Sequence, residues 1–339
     1  MRQRLGLGFV FLILLGWLLW PRGVPAGTPP LALGGTPTIA SYLPFIENPP
    51  LPTETPTSTP TVTPAPLEWL NYLNSYRAQA LLPPLTENSD WSNGDWFHSR
   101  YMVKNDVISH DEEPENPWYT PAGQAAAQNG NVMVSSSNQA SDQLAIDLWM
   151  SGPFHAIGIL DPALHQTGFG SYREADGGWQ MGATLDVIRG LGAIPPTVTY
   201  PVMWPAEGQI TFLNGYYGTE YPDPLASCPT YTIPSGLPIL LQIGDGSLTP
   251  TVTDHSFSQD GLPLDHCLFD ETTYTNPDSG AQNLGRLVLS GRDAIVLIPR
   301  QPLSPATNYT VTITTNGQSY QWTFMVAATI QPSQPAVAR

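Results

Sequence analysis

The chain has 339 residues, with 28 Asp plus Glu against 12 Lys plus Arg, and this acidic balance argues against a nucleic-acid partner, because phosphate binding calls for a basic surface. Only 12% of residues are charged while 41% are hydrophobic, and 37 Pro with 30 Gly mark a turn-rich, weakly charged protein rather than a disordered one. The length suits about two domains.

Arg2 and Arg4 precede an unbroken apolar stretch from Leu5 to Trp20. A positive n-region followed by an apolar h-region is the pattern of a secretory signal, and Val24-Pro25-Ala26 offers a cleavage site. The stretch is long for an h-region yet short for the roughly 20 residues of a membrane span. Residues 1–26 therefore read as a signal peptide or an N-terminal membrane anchor, and the remainder is expected to be secreted or held at the cell surface. Any membrane contact is expected through this segment alone, if it stays uncleaved. Residues 27–66 alternate Thr or Ser with Pro and show no apolar periodicity. They read as a Pro/Thr-rich linker, an extended stalk.

The first folded region is expected over residues 67–190. Helical spacing of Leu67, Leu70, Leu73 and Tyr76 or Arg77 predicts a first helix, ended by "LLPPL". A second helix is expected through "NGDWFHSRYMVKNDVISH", followed by a long loop, "DEEPENPWYTPAG". A third helix runs through "SDQLAIDLWM", and Gly152-Pro153 is read as its stop. Strand-like runs "TGFGSY" and "GWQMGATLDV" then flank the turn residues "EADGG". Helices around a small antiparallel sheet make an α+β domain.

Residues 200–327 carry strand and turn signals: "GQITFLNG", "LPILLQIG", "AIVLIP" and "NYTVTITTNGQSYQWTFMV". Asn316-Gly317 between alternating runs is a strong hairpin signature. Short strands over about 120 residues suggest an all-β, immunoglobulin-like sandwich. Residues 328–339 read as a disordered tail. The two cysteines, Cys228 and Cys267, could close a disulfide loop of about 40 residues in an oxidising compartment, worth roughly 4 kcal/mol; two free buried thiols are the alternative.

Four of the six histidines fall in the first region: His98, His110, His155 and His165. There is no GxSxG elbow, no HExxH, no phosphate loop and no cysteine nucleophile in that region. Its tryptophans read as core or cavity wall, with Trp118, in the long loop, the one placed to touch a ligand. His165, and His255 and His266 of the second region, read as surface residues.

The ordered set "LNSYRAQALLPPL", "HSRYM", Ser109-His110 and "DLWMSGPFHAIGILDP" leading into "TGFG" resembles a bacterial member of the CAP superfamily, the cysteine-rich secretory, antigen 5 and pathogenesis-related protein 1 domain. The resemblance spans Leu67 to about Val187. It implies an α-β-α sandwich with a cavity holding two histidines and two glutamates, able to take a divalent metal such as zinc. On this chain the histidines fall on His110 and His155, which become the metal and ligand candidates, with Gln124 at the cavity and His98 counted with it as a residue that hydrogen-bonds beside the cavity. Where many members carry Gly-Glu-Asn, this chain reads Gly123-Gln124-Ala125. No glutamate follows the Trp149 helix, Asp147 is a conceivable substitute, and Glu112, Glu113 and Glu115 are unplaced. A stable zinc site wants three or four protein ligands, and an amide is a poor ligand and no general base.

The leading expectation is a non-catalytic binding or interaction protein with no catalytic residue assigned, facing an extracellular ligand or a cell-wall or surface component. A secreted hydrolase (a peptidase or a cell-wall-directed enzyme) using the same cavity is the alternative, and a purely structural surface module the third. The carboxylate count at the cavity separates them, because a histidine base needs a group to orient it.

Overall fold

The computed structural model describes residues 67–175, 177–218 and 220–330. The expected signal or anchor, the Pro/Thr linker and residues 331–339 of the tail lie outside the described residues. No helix among the described residues is long and apolar enough to cross a membrane.

The first region opens with helix α1 (Glu68–Gln79), the short strand β1 (Thr86–Glu87) and helix α2 (Ser89–Asn105). Asn88 caps α2, its side chain accepting from the backbone N–H of Asp90 and Trp91, so the helix starts earlier than "NGDWF" suggests. It ends where Asp106 turns left-handed at φ 54°, leaving His110 on the loop beyond. Next come α3 (Pro121–Asn129), β2 (Gly130–Ser135), α4 (Asp142–Ser151) and α5 (Pro153–Ile159), followed by β3 (Gln166–Thr167), β4 (Phe169–Arg173) and β5 (Met181–Asp186).

Two features depart from the sequence expectation. The end of the long loop and the stretch after it fold as α3 and β2. Helix α3 is built of small residues with no apolar stripe, and its signal was the Thr120 cap followed by proline at the first helical position. Gly152-Pro153 ends α4, as expected, but a further helix follows at once. Pro153, whose missing N–H costs nothing at a helix start, opens α5, and His155 stands in its first turn.

Strands β2, β5 and β4 form an antiparallel sheet in that order. On one face Phe169 stacks on Trp69 of α1 and meets Trp149 of α4 edge-on. On the other, α2 lies directly on β4 and β5. Gly170 and Gly182 permit this: a Cβ at Gly170 would strike the backbone of Trp96, and one at Gly182 would sit 2.6 Å from the Ser99 carbonyl oxygen. The Ser99 hydroxyl donates to the Gly170 carbonyl across this contact at 2.8 Å. Helices thus cover both faces, an α+β layering with α-β-α order. Arg77 is buried, and its guanidinium donates to the carbonyls of Pro83, Ile159, Asp161 and Leu164, tying α1 to the loop after α5; burial lowers its pKa to about 10.

The second region contains β6 (Val202–Trp204), β7 (Ile210–Thr211), β8 (Gly215–Tyr216), β9 (Ser235–Gly236), β10 (Ile239–Gln242), β11 (Val252–Gln259), β12 (Leu262–Pro263) and β13 (His266–Phe269). Helix α6 (Ser279–Ser290), β14 (Ala294–Pro299), β15 (Thr307–Thr315) and β16 (Gln318–Val326) complete it. A four-stranded sheet runs β13-β14-β10-β6, and a five-stranded sheet runs β12-β11-β15-β16-β7. The Asn316-Gly317 turn joins β15 to β16 with both residues at positive φ, as the sequence indicates. The region is not all-β, because α6 lies between β13 and β14. Its start was marked by Asp278, which caps it through the Ala281 N–H.

Every residue of β10 and β14 is buried, which explains their continuous apolar runs. Helix α5 of the first region packs against this sheet: Phe154 contacts the rings of Phe269 and Tyr274, and Gln242 donates to the Leu160 carbonyl at 3.1 Å. One buried cluster contains side chains of both regions, and the described residues fall in one compact unit. Cys228 and Cys267 are joined in a disulfide with Cα atoms 5.7 Å apart.

Candidate functional site

The loop after α2 is folded back by two carboxylates and an amide. Glu112 is buried, its Oε1 2.9 Å from His98 Nδ1 and its Oε2 accepting from the Thr120 N–H at 3.0 Å. The space it occupies exists because residue 123 is glycine; a Cβ there would collide with Oε1. His98 has no exposed surface, and its Nε2 donates to the Ser109 carbonyl at 2.8 Å. Both ring nitrogens are used, so His98 is a hydrogen-bonding anchor of the loop. Gln124 is equally committed: its Oε1 accepts from the Glu112 N–H at 2.6 Å and its amide nitrogen donates to the Asp111 carboxylate. A glutamate at this position could make only the first of these bonds and would set a second carboxylate against Asp111.

This arrangement presents His110. Its Nδ1 lies 2.9 Å from the Ala127 carbonyl oxygen in α3. A carbonyl can only accept, so Nδ1 carries the proton and Nε2 keeps its lone pair. The protein mass around the ring lowers its pKa below the usual imidazole value, and the neighbouring charges of His155 and His98 act in the same direction.

His155 is set by a residue that no local pattern marks. Glu220, 65 residues further along the chain, lies in the loop between β8 and β9. Its Oε1 accepts both from the His155 backbone N–H at 2.8 Å and from ring Nδ1 at 2.7 Å. The Glu220 side chain is 2% exposed, against 18% for His155. Burial pushes its carboxyl pKa up, and the His155 bonds pull it back. Gly152 makes room for the contact, since a Cβ there would lie 2.7 Å from Oε1. The second region therefore supplies a carboxylate to a histidine of the first, and His155, like His110, is bonded to the protein through Nδ1 and has no protein partner at Nε2.

The other candidates lie elsewhere. Asp147 is buried between Tyr72 and Tyr76, whose hydroxyls donate to its Oδ1 at 2.6 and 2.5 Å, and burial raises its pKa. Trp118 lies over Arg100 and Lys104, 5.2 Å from each. The His165 ring is exposed and bonds the Ala193 carbonyl. The Ser109 hydroxyl donates to the Asp111 carbonyl, so no serine nucleophile is aligned on a histidine here. Among the described residues no group of three or more His, Cys, Asp and Glu side chains could hold a metal ion. Imidazoles bonded through Nδ1 to a carbonyl and a carboxylate have the outer arrangement of metal-ligand histidines. Two nitrogens still fall short of the three or four ligands of a stable zinc site, so the residues present do not make one.

Residues 70–181 match the family model described as CAP, the cysteine-rich secretory protein family. This stretch is a CAP superfamily domain, and it takes in β2 and β4, the start of β5, and both His110 and His155. No curated protein matches the chain.

Proposed function

We propose that the protein is exported and that its CAP domain is a non-catalytic binding module, with His110 and His155 as the contact residues. One observation carries this reading: each ring is bonded to the protein through Nδ1, leaving two Nε2 atoms with no protein partner and no nucleophile bonded to either. Such a pair suits a polar small molecule or a cell-wall fragment that donates hydrogen bonds. A divalent cation at this pair would have two protein nitrogens and otherwise water. The disulfide fits an oxidising compartment. The reading of the second region as an immunoglobulin-like module belongs to this proposal; its two sheets and the β15–β16 hairpin support it, and α6 is an addition to such a module.

The Glu220 contact favours one second reading, a hydrolase in which His155 is the general base. A carboxylate on Nδ1 orients the ring and stabilises the imidazolium formed when Nε2 takes a proton, which answers half of the objection raised by Gln124. What would supply the nucleophile is still missing. Peptide and peptidoglycan substrates incubated with the exported protein, with His155→Ala and with Glu220→Gln decide between them. A binding module gives no turnover above the variants and shifts of the His110 and His155 ring signals on addition of peptidoglycan fragments. Turnover lost in both variants would replace it with the hydrolase.

A further inference from the structure

The two sheets of the second region exchange chain at two neighbouring places. Leu264 and Asp265 lead from β12 in the five-stranded sheet to β13 in the four-stranded one, and residues 300–306 lead back from β14 to β15. The Arg300 N–H donates to the Asp265 carbonyl at 2.9 Å and holds the two crossings side by side. A groove of about 440 Å³ opens between them and the end of β11, inside the range of about 300–1,000 Å³ typical of pockets that hold small ligands. Leu264, Leu303 and the rings of Pro263, Pro299 and Pro302 give it apolar walls.

The polar groups of the groove are short of partners. Tyr309 lines it, is 1% exposed, and stacks on Phe257 and on Phe324 with ring centroids 5.3 and 5.7 Å away. Its hydroxyl oxygen accepts from the Ser304 N–H at 2.7 Å. A hydroxyl also donates, and among the described residues nothing accepts the Tyr309 proton. Arg300 rests its guanidinium over the Tyr231 ring, 5.3 Å from the centroid. Among the described residues that guanidinium has no ion pair and no hydrogen bond, and the Asp265 carboxylate does not close on it. Gln259, which faces Tyr309 in the β11–β15 register, and Gln301 add side-chain amides that bond no described residue.

We propose that this groove binds the carboxyl terminus of a peptide that ends in an apolar residue. Charge complementarity names the occupant. The chain has 28 acidic side chains against 12 basic ones, yet Arg300 is fixed on an aromatic face without a carboxylate of its own. A carboxylate accepts two parallel N–H groups from a guanidinium and keeps lone pairs for the Tyr309 proton. The leucine and proline walls receive the last side chain, and burial of its apolar surface offsets part of the cost of ordering the peptide. The Gln259 and Gln301 amides can donate to peptide carbonyls, and Asp265 can accept a peptide N–H. A C-terminal amide would bring neither the charge nor the second oxygen.

This site is independent of the one at His110 and His155, and a single calorimetric experiment separates them. The probes are acetyl-Ala-Ala-Leu with a free carboxyl terminus and the same peptide as its C-terminal amide. Both are titrated into the intact protein, into Arg300→Gln and into the double variant His110→Ala/His155→Ala. One free-carboxyl peptide per chain is expected, and the amide should bind at least about tenfold more weakly, the weight of a hydrogen-bonded charge. Arg300→Gln should weaken the free-carboxyl peptide by a similar factor, and the double variant should bind it as the parent does. Arg300 is exposed, so its substitution tests the site without endangering the fold. Absence of binding in the parent overturns the proposal. So does equal binding of acid and amide, binding that survives Arg300→Gln, or binding that is lost with His110 and His155.

Discussion

Two imidazole–carboxylate pairs sit in different parts of the molecule and do different work. His98 and Glu112 are 14 residues apart, lie wholly within the CAP domain, and are sealed from solvent. Every polar atom of that His98 ring is consumed in holding the loop. His155 and Glu220 are 65 residues apart and join the CAP domain to the β-rich region. There only one ring nitrogen is used, and the other is left available. The same two functional groups make an anchor in one place and an oriented acceptor in the other; what differs is whether the second ring nitrogen finds a partner.

The comparison predicts its largest contrast in stability. His98→Ala strands a buried carboxylate without its partner, and the loss is expected to be about 3–5 kcal/mol by urea unfolding. A loss below about 1 kcal/mol would mean that the sealed pair is no anchor.

The open pair should respond more mildly and through Gly152. Gly152→Ala puts a methyl 2.7 Å from Glu220 Oε1 at a backbone conformation that alanine accepts, φ −98°. A cost of about 1–3 kcal/mol is expected from overpacking. In a Glu220→Ala background the same change should cost little, giving a coupling of at least about 0.5 kcal/mol in a double-mutant cycle. Additive losses would place the strain somewhere other than Glu220.

Gln124→Glu tests why the family carboxylate is absent. It removes the amide donor to Asp111 and adds a like charge, for an expected loss of about 1 kcal/mol in thermal unfolding. A stabilised variant would show that the amide is not what the loop requires.

The smallest effect is a titration. His110 is depressed in the folded state, so at intermediate pH the unfolded chain binds more protons there than the folded one. The stability it contributes is present above the ordinary imidazole range and is lost as pH falls through the depressed value. His155→Ala removes a repulsive neighbour and should raise the His110 pKa, read from its ring proton signals. A His110 titrating at or above the free-imidazole value would contradict the placement of its surroundings.

Much of the CAP domain was legible because its signals are local. Leu70 and Leu73 in α1, the Ser141 cap of α4 and the β4–β5 runs each declare an element within a dozen residues. Helix α3 has no apolar stripe, and α5 was not anticipated because Gly-Pro both ends one helix and starts the next. His110 and His155 could be picked out through the family motifs, but not what holds them. Glu220 lies in a loop with no periodicity or motif, and only the packing of α5 against the β10–β14 sheet brings it to His155. Gly152, the residue that makes room for it, is indistinguishable in the sequence from an ordinary helix breaker.

The central claim is that Glu220 holds the Nδ1 proton of His155 and leaves Nε2 open. Long-range proton–nitrogen spectra of the histidine rings, recorded near neutral pH on the wild-type protein and on Glu220→Ala, test it directly. The account predicts the Nδ1–H tautomer for His155 in the wild type and a shift towards the Nε2–H tautomer, the form favoured by a free imidazole, once the carboxylate is gone. An Nε2–H tautomer in the wild type, or identical His155 signals in the two proteins, would contradict it.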